Sequence, residues 1–324
     1  PTYNRAADLE VTLASVIDQT VPPFEVIVVD DSTDEETERL VNGFAKRDVR
    51  NPITVVYARN VGEKSLTGAR NTGKQMAKGD VVLFLDDDVV LGPGYILELA
   101  KAYALSPRAK GVQGYWGGSV VMDRGYRMFN SLSRMFRLWH YTDEDCEVMP
   151  SFQPTYPTKL RSVRACEWLS GCNQSYRRDV LSEFDFDDKL SRYAPGGEDV
   201  DFSHRVFRRY PGSLLITPHA TLVHRVSEAS RTPSRNSTYL GAAYSSYFFK
   251  KDIDQTARNM VVFAWSRLGM VVMAFVNDVT RIKNAHRLDL RRTRDTVGAL
   301  LMCARHREDI GSGSFGFLKT YLQY

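Results

Sequence analysis

Cysteine is scarce: the 324 residues hold four, Cys146, Cys166, Cys172 and Cys303. None forms a C-x-x-C pair or a Cys/His cluster with zinc spacing. A disulfide scaffold and a structural zinc site are therefore excluded as organising principles, and free thiols in a reducing compartment are expected. Charge of one sign is lacking too. Lys+Arg 43 against Asp+Glu 39 leaves +4, with a pI of about 8.8. That balance is too mild to imply a nucleic-acid partner, although a local basic patch stays open. The apolar stretch Met260–Val276 is shorter than the ~20 residues of a spanning helix and is broken by Arg267. A central Arg costs about 2.5–3.5 kcal/mol on insertion scales, so a packed helix is expected there rather than a membrane span. Nothing at the N-terminus reads as a signal peptide, and a cytoplasmic location is the expectation.

The chain is 43% apolar and 25% charged, an ordinary globular composition, and it is long enough to bury a sizeable core. Its first third alternates strand and helix. Phe24–Asp30 (FEVIVVD), Ile53–Ala58 (ITVVYA) and Asp80–Asp86 (DVVLFLD) are near-continuous apolar runs. Helical spacing separates them, with Ser32 and Thr33 able to cap a helix through about Arg47, and a second helix over Leu66–Ala77. Strands without polar alternation, separated by helices, predict a doubly wound α/β fold with a mostly parallel sheet. Beyond Gly92 the pattern is less regular. Arg124–Tyr141 reads as a basic amphipathic helix, Glu167–Ser170 as a strand, Arg177–Glu183 and Asp199–Arg209 as helices. Leu214–Thr217 and Ala220–His224 read as a β pair, and from about Asn236 the chain is mostly helical.

Two acidic clusters stand at the C-terminal ends of predicted strands, Asp30-Asp31 and Asp86-Asp87-Asp88. Ligands of open α/β sheets bind beyond those ends. Three adjacent carboxylates repel one another unless a cation or strong donors compensate. Alternate residues of an extended chain point the same way, so Asp86 and Asp88 can face one ion, and all-oxygen ligation favours Mg²⁺ or Mn²⁺. A solvated strand-end turn is the plain alternative. Gly68–Gln75 nearly spells a P-loop, but Gln75 stands where Mg²⁺ needs Ser or Thr. Gly311–Gly316 fits a dinucleotide motif but opens no βαβ unit.

PTYNR (Pro1–Arg5), VVDDSTD (Val28–Asp34), GARNTG (Gly68–Gly73), FLDDDV (Phe84–Val89), WLSGCN (Trp168–Asn173) and GGEDVDFSHR (Gly196–Arg205) occur in that order. Together they resemble the family 2 glycosyltransferases of the GT-A fold over about residues 1–230. The resemblance implies a catalytic domain over 1–230, with a nucleotide-sugar half at 1–115 and an acceptor half at 116–230, followed by a helical region at 231–324. It implies metal-dependent, inverting transfer from a nucleotide-diphosphate sugar to a glycan or polyprenyl-linked acceptor.

By that resemblance Thr2, Tyr3, Asn4 and Arg5 line the nucleotide pocket, and Asp31 accepts from the base; a uracil imide N–H suits it, with guanine and thymine still open. Asp30 ranks below Asp31 because it can equally cap the loop. Arg70 reaches the base or phosphates, its alternative being a surface salt bridge. Asp88 is the direct metal ligand and Asp86 touches the ribose or the metal. Asp87 points away, within the donor-binding set. His224 matches a histidine ligand, against the usual structural role of a lone His.

Asp199 matches the catalytic base and Glu198 orients the acceptor. A helix N-terminus and a nearby cation should keep Asp199 charged at pH 7, though an acidic helix cap would suffice to explain it. Trp168 and Gly171 look like acceptor-side residues, the indole offering a stacking face. A sugar-phosphate nucleotidyltransferase and a non-catalytic sugar-binding module are the competing classes. The first would want a glycine- and lysine/arginine-rich phosphate loop that PTYNRAADLE does not supply.

The basic helix Arg124–Tyr141 sets Met128, Phe129, Leu132, Met135, Phe136 and Trp139 opposite Arg124, Arg127, Arg134 and Arg137. That is the composition of an interfacial helix, and with Arg287, Arg291, Arg292 and Arg294 it offers peripheral contact with an anionic membrane on its inner face. Packing of the same apolar face on its own domain is the alternative.

Overall fold

The computed structural model describes residues 1–45, 53–60, 64–116, 123–190, 196–227, 234–280 and 289–322. Arg287 and the expected end of the first capped helix, Lys46 and Arg47, lie outside them. The chain divides into two compact units. The first is Pro1–Val120, Lys159–Tyr193 and Glu198–Arg231; the second is Val121–Thr158, Ala194–Gly197 and Thr232–Tyr324. Residues 121–158, assigned from sequence to the catalytic half, thus group with the C-terminal helices.

Unit 1 opens with α1 (Ala6–Ile17), β1 (Glu25–Asp30), α2 (Glu36–Ala45), β2 (Thr54–Arg59) and α3 (Leu66–Met76). The apolar runs form the expected parallel pair, β1 on β2 from Glu25↔Thr54 to Asp30↔Arg59. Leu9, Leu13, Val28, Val41 and Phe44 bury one another between this pair and its helices. Asp34, rather than Ser32 or Thr33, accepts the Glu36 N–H at the start of α2, at 2.9 Å.

There follow β3 (Val81–Leu83), β4 (Val89–Leu91), α4 (Tyr95–Leu105), β5 (Gly111–Tyr115), β8 (Arg164–Ala165), β9 (Gln174–Arg177), α6 (Arg178–Glu183), α7 (Glu198–Arg209) and β10 (Leu214–His224). Their sheet runs β3-β9-β5-β10-β4, with β8 also on β10. It is mixed: β5 and β10 are parallel, while β9 and β4 pair antiparallel with their neighbours.

Two sequence expectations change here. Glu167–Ser170 is not a strand; β8 and β9 flank it. Leu214–His224 is one strand rather than a β pair, with a register break between Ile216 and Thr221. Pro218 lies in that break and has no N–H to give the ladder, so the pairing slips where a bulge is tolerated.

Among the described residues, β3 leaves one edge unpaired and β1 meets only the Thr2 bridge on the edge away from β2; both line a cavity of about 530 Å³ together with α1 and α4. Val26, Val28, Val81, Leu83 and Leu99 make its walls mostly apolar, which suits packing and not a nucleotide.

Unit 2 contains α5 (Arg124–Met135), β6 (His140–Thr142), β7 (Thr155–Pro157), α8 (Ser234–Asp252), α9 (Ala257–Thr280), α10 (Arg291–Arg305) and α11 (Arg307–Ser312). Asp123 caps α5 by accepting the Tyr126 N–H at 2.7 Å. The helix stops at Met135, six residues before the sequence expectation, because Arg137 adopts a left-handed φ of 54° and the chain turns into β6. Phe136 is buried, its ring 5.0 Å from that of Trp265 on α9. A Cβ on Gly269 would fall 2.3 Å from the Phe136 Cβ, so only glycine admits this approach. That docking is why 121–158 joins the C-terminal helices. α9 forms where a packed apolar helix was expected, yet only 11% of its most apolar 18-residue window is buried.

Candidate active site

The acidic triplet occupies the short turn between β3 and β4, and β10 returns antiparallel along β4 with His224 opposite Val89. That register sets imidazole beside carboxylate: His224 Nε2 lies 3.0 Å from Asp88 Oδ1. One ligand atom from each of Asp86, Asp88 and His224 falls within 4.8 Å of the others. Asp88 Oδ2 accepts the Ser227 N–H at 2.9 Å. Its Oδ1 is buried and faces His224 Nε2. Burial pushes the Asp88 carboxyl up, but His224, the Ser227 N–H and Arg5 outweigh it and hold the group below its ordinary value. An ionised carboxylate, a second carboxylate and an imidazole make a donor set that fits Mg²⁺ or Mn²⁺.

Behind this cluster lies Arg70, 1% exposed and far from a surface salt bridge. Its Nη1 donates to Glu198 Oε1 at 2.9 Å; Nη2 donates to Asp86 Oδ1 at 3.2 Å and to the Gly171 carbonyl at 3.1 Å. The guanidinium sits over the Phe186 ring at 5.5 Å. Burial works against its charge, but Glu198, Asp86 and Asp199 together hold its pKa above the ordinary value. Arg70 is therefore the cation that permits three carboxylates to share this space.

Gly196 and Gly197, at φ of 64° and 107°, turn the chain into α7 and deliver Glu198 and Asp199 as its first residues. Asp199 Oδ2 accepts the Gly171 N–H at 2.7 Å. A Cβ on Gly171 would meet Arg70 Nη2 at 2.9 Å and Asp199 Oδ2 at 3.2 Å. Glu198 is only 6% exposed, while Asp199 keeps partial exposure. Burial, reinforced by the Asp199 charge, pushes Glu198 up to about 7 despite Arg70. Asp199 is raised as well, by burial first, against the Gly171 N–H and Arg70.

The N-terminal residues are tied to the acidic turn. Thr2 Oγ1 donates to Asp87 Oδ2 at 2.7 Å, and Arg5 Nη1 lies 3.1 Å from Asp87 Oδ1 and 3.8 Å from Asp88 Oδ2. Asp87 thus points away from the Asp86–Asp88–His224 cluster, toward Thr2 and Arg5. Asn4 takes a left-handed φ of 51°; its N–H donates to Ser32 Oγ and its Oδ1 accepts the Thr33 N–H. Tyr3 is half-buried beside it.

Asp30 is spent internally, accepting from the Ser32 N–H and the Tyr57 hydroxyl. Asp31 is the one left with a buried Oδ1 lacking a donor, and burial raises its pKa. Trp168 departs from expectation: it is 4% exposed, so its indole offers no open stacking face, and its carbonyl accepts from Gln113. Ser227 and Asp8, joined through Ser227 Oγ to Asp8 Oδ2 at 2.6 Å, escaped the sequence reading. Ser227 lies three residues beyond His224 in LVHRVS, and the same stretch bonds Asp88 twice more, through the Arg225 N–H to its carbonyl and the Ser227 N–H to its carboxylate.

Residues 1–184 match the family described as Glycosyl transferase family 2, and the chain belongs to that family. It resembles the glucosyl-dolichyl phosphate glucuronosyltransferase of Haloferax volcanii, 34% identical over 174 residues, 53% of this chain and 48% of that protein. It also resembles the validoxylamine A glucosyltransferase of Streptomyces hygroscopicus subsp. limoneus, 37% identical over 116 residues, 35% of this chain and 25% of that protein. The chain thus spans half or less of the length of these curated relatives.

Among solved structures it is similar to the Pyrobaculum calidifontis mannosyltransferase PcManGT, in complex with GDP-Man and Mn²⁺, with a TM-score of 0.54 and 16% identity over 99% of this chain and 81% of that one. S. aureus TarS matches at TM-score 0.55 and 16% identity, over 100% and 50%. These likenesses establish the fold, that of a GT-A glycosyltransferase with a helical C-terminal part.

Proposed function

We propose that the protein is an inverting glycosyltransferase that moves a sugar from a nucleotide-diphosphate donor, UDP-type favoured, to a hydroxyl of a glycan or polyprenyl-linked acceptor. The observation that carries the reading is the juxtaposition of an ion-ready Asp86–Asp88–His224 cluster with Asp199 across one buried arginine. Asp88, with Asp86 and His224, would hold Mn²⁺ or Mg²⁺. When bound, the ion supplies electrostatic stabilisation to the departing diphosphate.

The chain's own residues divide the remaining work. Asp31 Oδ1, buried without a donor, suits the imide N–H of uracil. Thr2 and Arg5, fastened to Asp87, fix the segment holding Tyr3 and Asn4 against that base. Asp199 takes the proton of the acceptor hydroxyl as its oxygen attacks the anomeric carbon. It is held by the Gly171 N–H, and a carboxylate raised toward neutrality is a stronger base than a surface one. Glu198, held by Arg70, orients the acceptor together with the loop of Gly171. A lipid-borne acceptor would set the enzyme on the cytoplasmic face of a membrane in peripheral contact with anionic lipid. Relatives include a glycosyltransferase named for an undecaprenol-linked substrate, which supports that acceptor class.

Thermal unfolding with a panel of nucleotide sugars, with and without Mn²⁺, tests the donor. A donor bound to the folded state raises Tm by mass action, by about 2.7 kcal/mol of stability at a hundredfold excess over Kd. The expected result is a shift with a UDP-sugar that EDTA removes. No shift with any nucleotide sugar would contradict the reading.

A further inference from the structure

In α9 the usual arrangement of a surface helix is partly reversed. The side turned into unit 2 holds Ser266, Gly269, Ala274 and Asp278, all buried, and beside them Arg267. Arg267 Nη1 donates to Ser245 Oγ of α8 at 2.9 Å, and its guanidinium lies 4.0 Å from the Phe263 ring centroid. Asp278 Oδ2 accepts from both the N–H and the hydroxyl of Thr293 on α10, at 2.9 and 2.7 Å. The side turned outward is Val261, Leu268, Phe275 and Val279 at helical spacing, flanked by Met260 and Trp265; these are 40–68% exposed. A soluble helix buries its apolar stripe and wets its polar one. This helix keeps Phe263 stacked on Phe249 inside, at 3.9 Å, but leaves its larger apolar stripe outward and buries its charged Asp278.

Both neighbours expose apolar residues as well. α10 exposes Val297 and Leu301, the latter at 65%, and α5 exposes Met128 and Met135. Trp265 Nε1 donates to the Met135 carbonyl and so joins α9 to α5. Charge on these three helices is one-sided. Every exposed charged residue of α5, α9 and α10 is an arginine: Arg124, Arg127 and Arg134, then Arg258, then Arg291, Arg292, Arg294 and Arg305. Their two acids, Asp278 and Asp295, are buried. On α10, Arg294 and Arg305 bracket Val297 and Leu301 along a single face, one or two turns to either side.

We propose that this face of α5, α9 and α10 seats the protein on an anionic lipid bilayer, with α9 lying in the interfacial plane and its outward stripe in the acyl boundary. An apolar stripe rimmed by cations is complementary to a surface that is anionic outside and hydrocarbon beneath. A second copy of the chain would bring arginines against arginines. α9, 24 residues long, is apolar enough to cross a membrane, but Arg267 and Asp278 bond to Ser245 and Thr293 on its inner face, and keeping those bonds favours the interfacial plane. The inference deepens the peripheral contact stated above and rests on that reading for the acceptor's location; the geometry of α9 stands without it.

Co-sedimentation of the full chain with phosphatidylserine/phosphatidylcholine vesicles, against pure phosphatidylcholine, tests it. The phosphatidylserine vesicles should bind the protein. Binding should fall with salt as the surface potential is screened. The double variant Leu268→Glu/Phe275→Glu should weaken it by about tenfold or more, and Arg292→Gln/Arg294→Gln by less. If the glutamate variant misfolds, as circular dichroism would reveal, wild type still decides through quenching of Trp265 fluorescence by spin-labelled lipid, read against Trp265→Phe. Absence of both vesicle binding and quenching overturns the proposal. So does a dimer, seen by light scattering, that Leu268→Glu dissolves while vesicles are ignored. Donor-induced shifts in Tm are unchanged by Leu268→Glu, so failure here and failure of the transferase reading are told apart.

Discussion

Asp88 belongs to the ion cluster and Asp199 to the start of α7, and their substitutions should fail in different ways. Asp88→Ala removes the central member of the ion cluster and should abolish metal-dependent donor binding while the protein stays folded. Asp199→Asn should bind donor normally and lose about 10²–10⁴-fold in turnover, the usual worth of a general base. If Asp199→Asn turns over near wild type while Glu198→Gln is inactive, the base is Glu198. Glu198 also gives a signature in stability.

Its pKa is raised to about 7 from an ordinary 4.5, chiefly by burial and next by Asp199. Between those pH values the folded state keeps a proton that the unfolded chain has released, so stability falls as pH rises through the window. Glu198→Gln should flatten that fall, measurable as denaturant midpoints from pH 4.5 to 7.5 in EDTA. An unchanged slope would mean that Glu198 is already ionised in the folded protein.

The elements show what a linear reading can and cannot reach. The β1 and β2 runs and the acidic turn after β3 were legible because apolar continuity and charge are local properties. So were the glycines before α7, whose φ values only glycine adopts at no steric cost. The burial of Arg70 was not legible: its partner Glu198 is 128 residues away, and an arginine in GARNTG looks the same whether it faces water or three carboxylates. The same holds for Trp168, read as a stacking platform but enclosed by the chain around Gln113.

α9 misled because hydropathy reports how apolar a helix is and not which way it turns. Its docking can be tested by Gly269→Ala. The new methyl would overlap Phe136, and overpacking of this kind costs about 1–3 kcal/mol. Tm should drop by several degrees without change in donor binding. A neutral substitution would mean that α5 does not pack on α9 in solution.

At the scale of the whole molecule, the proposal assigns donor binding to the α/β unit and a membrane-held acceptor to the side of the helical unit with its arginine-rimmed apolar face. The ion cluster decides whether the first half of that description holds. Calorimetric titration of UDP into the protein in Mn²⁺, in EDTA, and with Asp88→Ala in Mn²⁺ tests it directly. The account predicts tight binding in Mn²⁺ alone, a loss of about 10–100-fold or more in EDTA and in Asp88→Ala, and an intermediate loss in His224→Ala that excess Mn²⁺ restores. UDP binding of equal affinity in Mn²⁺, in EDTA and in the Asp88→Ala protein would contradict it.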